Sequence, residues 1–283
     1  MTATVLALLA ALAYGVSDFA GGMASRKATA VRVLVLSYPL GLVGLFALMP
    51  IFGGTATTAG LAWGAVSGLA GAGGVMLLYA GLAAGPMSVV APLTAVCSAV
   101  VPVGAGLLAG ERPAPLAGLG ALLALVAVAL VSREPAGVDA EVRVTGRAIL
   151  LALLAGVFFG LYFVMLAAAG DDTGLWPLVT NRVVGSVVVV VAALVLGQLA
   201  LPGRGAWLLA TSAGLLDVVA NVAYLLAARA GLLALVAVLT ALYPAATVLL
   251  ARVVLAERTS LVQRLGLVLA GASIALIAYA GAG

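Results

Sequence analysis

The stretch AGPMSVVAPLTAVCSAVVPVGAGLLAGER, residues 84–112, aligns without a gap to AGLLALVAVLTALYPAATVLLARVVLAER, residues 230–258. Eleven of the 29 positions are identical, among them the Ala-Xaa-Leu-Thr-Ala segments at 91–95 and 237–241 and the closing pairs Glu111-Arg112 and Glu257-Arg258. The offset between the two stretches is 146. A second match, LALLAALAYG (6–15) against LALLAGVFFG (151–160), is identical at six of ten positions with an offset of 145. A biased composition raises chance identity, but it does not hold one offset along the chain or align a charged pair. The chain reads as an internal duplication.

Composition names the solvent of the repeated unit. Of 283 residues 65% are hydrophobic and 8% charged, with a mean hydropathy of +1.33, whereas soluble domains carry about 25% charged residues. So few polar side chains cannot cover a globular exterior in water, so lipid is the solvent. A membrane β-barrel would alternate apolar and polar residues over segments of about ten. This chain instead has unbroken runs such as LGALLALVAVALV (119–131) and VVGSVVVVVAALVLG (183–197), which are helical spans.

Interruptions by charge, Pro and Gly place ten spans, at 3–22, 31–52, 59–84, 87–109, 115–132, 147–169, 174–199, 206–228, 231–254 and 260–280. Gly85-Pro86 marks either a tight turn or a break within a span. The first run resembles a signal peptide in length, but no Lys or Arg precedes it and it recurs at 151–160. One connection is long and charged, Arg133 to Arg147, and it divides a first five-helix repeat (1–132) and a linker (133–146) from a second five-helix repeat (147–283). Five is odd, so the second repeat enters the bilayer from the opposite side. The expected fold is an all-α membrane protein of ten transmembrane helices in two inverted five-helix repeats, an arrangement that puts a substrate site near the midplane.

Several segments are similar to one family: GPMSVVAPLTA entering the fourth span, LLAGERP (107–113) and VLAERTS (254–260) closing spans, TVLLARVVLAER in the second half, and YGVSDFAGGMASRK (14–27). In their order and repetition they resemble the EamA-type branch of the drug/metabolite transporter superfamily, over nearly the whole chain. The resemblance implies a secondary transporter of a small metabolite or drug, driven by protons or by exchange, in a bacterial inner membrane and without a cofactor. It does not fix the substrate. A non-transporting scaffold or sensor and a channel-like facilitator are the alternatives. The expected partners are a small-molecule substrate, the bilayer and protons, with the chain a monomer or homodimer.

An ionised carboxylate deep in a span costs several kcal/mol, so it needs a partner, water or a proton. Asp217 lies midway along the eighth span, with Asn221 and Tyr224 following at i+4 and i+7 on one face. It fits either a proton and substrate site or a fixed interhelical contact, with Arg182 as partner. Asp18, a turn after Tyr14, fits either a functional acid or an ion pair with Arg26 or Lys27. Its repeat counterpart is Phe163, beside Tyr162, so the second half supplies aromatic wall where the first supplies charge. Asn181 and Arg182 lie two turns into the seventh span. Arg182 fits a ligand carboxylate, Asp217, or the interface.

The chain has no His, and its one Cys, Cys97 in TAVCSAV, reads as a small buried hydrophobe. With scattered carboxylates besides, no catalytic or metal constellation emerges and an enzyme is not expected. The net charge of +4 sits singly at span ends, which disfavours nucleic acid. Trp63, Trp176 and Trp207 stand at span starts as interfacial anchors, and Glu111-Arg112 and Glu257-Arg258 read as helix-end caps. Orientation draws two opposed expectations: the Lys and Arg count puts both termini outside, whereas the family resemblance implies both inside.

Overall fold

A run of about twenty apolar residues in lipid must satisfy its backbone polar groups internally, and one isolated strand cannot. The computed structural model describes residues 1–85, 87–132, 145–256 and 259–280, without the side chains at 79, 87 and 88. Its long elements are helices throughout. The first half contributes α1 (Thr2–Ser25), α2 (Ala30–Phe52), α3 (Thr58–Ala84), α4 (Met87–Leu108) and α5 (Pro115–Val131). The second contributes α6 (Gly146–Ala167), α7 (Trp176–Val195), α8 (Arg204–Ala230), α9 (Leu233–Thr240), α10 (Tyr243–Val254) and α11 (Leu261–Ala280), with one 3-10 turn, Asp171–Thr173, before α7. Glu257, Arg258, Pro86 and most of the charged linker lie outside the described residues.

Among the described residues, helices stand at the ten places where the sequence puts spans, and one differs in kind. The ninth, expected as a single helix over 231–254, is broken into α9 and α10. Pro244 in the first turn of α10 is the cause: it has no N–H to donate, and its ring crowds the carbonyl four residues back. Its repeat counterpart is Ser98, inside the continuous α4. Among the described residues, nine spans, with α9 and α10 taken together, are long and apolar enough to cross a membrane. The remaining one, α5, has 17 residues.

The packing pairs map onto one another when the halves are exchanged. α1 lies on α8 as α6 lies on α3, and α2 on α8 as α7 on α3. α1 on α9 and α10 corresponds to α6 on α4, while α2–α7, α4–α9 and α5–α11 are each their own counterpart. The buried core is rich in alanine, with Ala7, Ala10, Ala124, Ala152, Ala210 and Ala220 fully covered. Small residues let helix backbones approach where lipid offers no hydrophobic drive between them. A Cβ on Gly15 would stand 2.5 Å from the Ala246 Cβ and 2.7 Å from the Tyr243 carbonyl oxygen, so only glycine allows the α1–α10 crossing. The exterior is apolar, with Leu208 82% and Val253 79% exposed, as a lipid-facing surface must be.

Candidate functional site

Eight helices, α1 to α4, α6 to α8 and α10, enclose a cavity of about 590 Å³. It runs from Arg182 and Asp217 at mid-depth to Ser25 and Ala30, where α1 ends and α2 begins. The mouth is therefore at that end. Residues equivalent under the repeat offsets line it in pairs: Tyr14 and Phe159, Asp18 and Phe163, Ser37 and Arg182, Gly71 and Asp217.

The floor is polar. α7 presents Arg182, 6% exposed, and α8 presents Asp217, and the two form an ion pair through Nη2 and Oδ2. The guanidinium carbon sits 4.8 Å from the centroid of the Tyr38 ring, a cation–π contact. One turn on, Asn221 Nδ2 donates to the Asp217 backbone oxygen at 2.7 Å and to its Oδ2 at 3.0 Å. The Asn221 Oδ1 accepts from the Tyr14 hydroxyl at 2.8 Å and also from the Tyr162 hydroxyl. Tyr14 meets Phe163 and Tyr243 edge-on at 6.1 and 6.3 Å, and Tyr162 meets Phe163 at 5.1 Å. This aromatic and amide layer closes the cavity below.

Of the residues expected from the sequence, Asp18, Tyr14, Tyr162, Arg182 and Asp217 line the cavity. Asn221 stands behind Asp217 and ties the layer together. Tyr224 is fully buried and donates to the Phe163 carbonyl oxygen at 3.0 Å, a contact within the packing. Asn181 turns toward α3 and donates to Ser67 Oγ at 2.7 Å, away from the cavity. Asp18 makes no hydrogen bond or ion pair among the described residues, while Lys27 donates instead to the Gly205 carbonyl at 3.2 Å. Tyr38, Ser37, Thr94 and Tyr243 were not singled out for the cavity by the sequence; neutral residues of these types carry no signal in a chain where many are buried. Cys97 is partly exposed, packed on α6 with its sulfur 3.5 Å from the Leu153 carbonyl oxygen.

Beyond the floor the two halves are tied to each other. Glu111, at the end of α4, accepts from the backbone N–H of Leu233 at 2.6 Å and of Ala234 at 2.9 Å. The sequence marks Glu111 as a cap on its own helix. It caps α9 in the other half, where the unsatisfied N–H groups and the helix dipole favour a carboxylate. Thr55 N–H donates to the Asp172 carbonyl at 2.9 Å, a second tie between the halves; within the second half, Arg229 Nη2 donates to Gly170 O, Thr173 Oγ1 and Gly174 O at 2.8 to 2.9 Å.

A family model for EamA-like transporters matches residues 1–133 and again 146–279. The chain belongs to the EamA-like transporter family. A solved structure, described only as the crystal structure of a protein, shares the fold with a TM-score of 0.77 at 17% identity, over 97% of this chain and 95% of that one. No curated protein matches. As an EamA-like chain with apolar spans throughout, it is a multi-pass membrane protein of the drug/metabolite transporter superfamily.

Proposed function

We propose that the chain is a secondary active transporter that carries a small metabolite or drug across a bacterial inner membrane by alternating access between two inverted repeats. The observation that carries the reading is a midplane cavity open at one end and closed at the other by contacts between the halves. Its volume of about 590 Å³ is that of a small-molecule site. Five spans per half and packing pairs that interchange between halves support the inversion.

The opposite state follows from exchanging the conformations of the halves. Thr94 lines the cavity, and its repeat counterpart Thr240 is 1% exposed with a buried hydroxyl that has no partner among the described residues. An unsatisfied buried hydroxyl is costly and asks for an explanation. Wetting of Thr240 when the closed end opens supplies one.

Coupling falls to a cavity carboxylate, with protons or a counter-moving solute as the second species. The sequence favours Asp217. Its ion pair and the Asn221 hydrogen bond argue for a fixed role, since protonating it would strand Arg182 in a low-dielectric floor. Asp18, without a partner among the described residues, can take up and release a proton without that penalty.

The test uses Cys97→Ser as background, with Thr94→Cys or Thr240→Cys as the single thiol and a small, charged methanethiosulfonate reagent. Thr94→Cys is expected to react from the face where α1 ends and Thr240→Cys from the opposite face. A Thr240→Cys that stays unreactive from that face in every gradient condition would remove alternating access.

A further inference from the structure

We infer that the cavity takes an organic cation with an aromatic or otherwise apolar body, and that the Asp18 carboxylate is its counter-ion. This rests on the cavity being the transport site and adds the chemical class of its occupant.

Among the described residues, three charged ones line the cavity: Asp18, Arg182 and Asp217. The last two cancel. Arg182 is paired with Asp217 and covered by the Tyr38 ring at 4.8 Å, and Asn221 Nδ2 holds the same carboxylate oxygen at 3.0 Å. Asp18 has no hydrogen bond or ion pair among the described residues, and it is exposed and lines the cavity. Among the described residues, the lining thus carries one uncompensated negative charge.

That balance selects among ligand classes. An anionic solute would need a free cation, and the single basic residue of the lining is committed. A zwitterion would satisfy Asp18 with its ammonium group and leave its own carboxylate without a donor of positive charge. A cation meets Asp18, with aromatic walls around it: Tyr14 one turn before Asp18, then Phe159, Phe163 and Tyr243. Aromatic faces attract cations through their quadrupole, more so once water is displaced. A volume of about 590 Å³ accommodates a bulky body rather than a simple amine.

Tetraphenylphosphonium and tetraphenylborate share a shape and differ in sign of charge, which makes them the probes. Equilibrium binding to the purified, detergent-solubilised full chain is expected to favour the phosphonium by about tenfold or more. Asp18→Asn should weaken phosphonium binding by about tenfold, and Asp18→Glu should restore most of it. Equal affinity for the two ions, or an Asp18→Asn variant that binds the phosphonium like the parent, overturns the proposal.

A second readout stands if Asp18→Asn fails to fold. Gly22 lines the cavity and a Cβ there meets nothing within 4 Å. On the Cys97→Ser background, Gly22→Cys should be protected from thiol reagent by the phosphonium and not by the borate. Protection by both or by neither overturns the proposal. Charge-selective protection without reaction at Thr240→Cys would remove transport and leave the ligand class standing. Two-sided reaction at Thr94→Cys and Thr240→Cys without charge selectivity would do the reverse.

Discussion

Asn221 accepts two phenol protons on one amide oxygen and donates from its nitrogen to the backbone and carboxylate of Asp217. It joins α1, α6 and α8 at one point. Hydrogen bonds between helices in a membrane are worth only about 0.6 kcal/mol each on average, because an unfolded span also finds partners. The two bonds that cross between helices, to Tyr14 and Tyr162, then amount to about 1.2 kcal/mol, so Asn221→Ala should lower the midpoint of thermal unfolding in detergent by about 3 °C. An unchanged midpoint would show that the tyrosines re-pair with cavity water at no cost. At this scale the sequence is informative where polarity is rare: Asp217, Asn221 and Arg182 stand out because their neighbours are Val, Leu and Ala. It misleads where direction matters. Asn181 and Arg182 are adjacent and so point about 100° apart on α7, which sends one to Ser67 and the other to the cavity.

Between elements, the repeat alignment pairs Glu111 with Glu257 and reads each as the end of its own helix, yet Glu111 binds the first N–H groups of α9. Local sequence shows a carboxylate after a helix; only the tertiary fold shows that another helix begins beside it. Likewise Pro39, Pro92 and Pro102 read as sites for kinks as strongly as Pro244 does, and those three lie inside continuous helices. Pro244 differs in its place, in the first turn of α10 just after the break at Ala241 and Leu242 in the middle of a span. Charge-assisted bonds to a helix N-terminus are worth about 1.5 to 3 kcal/mol, and Glu111 makes its two in the state with this end closed. Glu111→Ala is therefore expected to shift the population toward the opposite state. Reaction at Thr240→Cys from the closed face should rise about tenfold, and reaction at Thr94→Cys should fall. A change in neither rate would make Glu111 a cap with no part in the closed end.

Across the whole molecule, an odd number of spans per half and the distribution of basic residues bear on the same question. Arg252 in the last turn of α10 and Arg264 in the first turn of α11 are exposed helix-end residues, at the end where the cavity has its mouth. Arg26, Lys27, Arg32, Arg147 and Arg204 lie at that end too, as do Arg133, Arg143 and Arg258 in the sequence order of connections. Only Arg112 and Arg229 belong to the other end, and Arg229 is spent on Gly170, Thr173 and Gly174. Cytoplasmic loops carry the excess of Lys and Arg, so the mouth should face the cytoplasm and both termini the outside. A topology reporter placed in the 133–144 linker is expected to be cytoplasmic, and the same reporter after Gly283 to be exported. Both reporters on one face would contradict five spans per half. Opposite faces with the signs exchanged would keep the inverted repeat and set the family resemblance above the charge count. With the mouth inside, the conformation described is the inward-open state of the proposed cycle, and the cavity carboxylate Asp18 is reached from the cytoplasm.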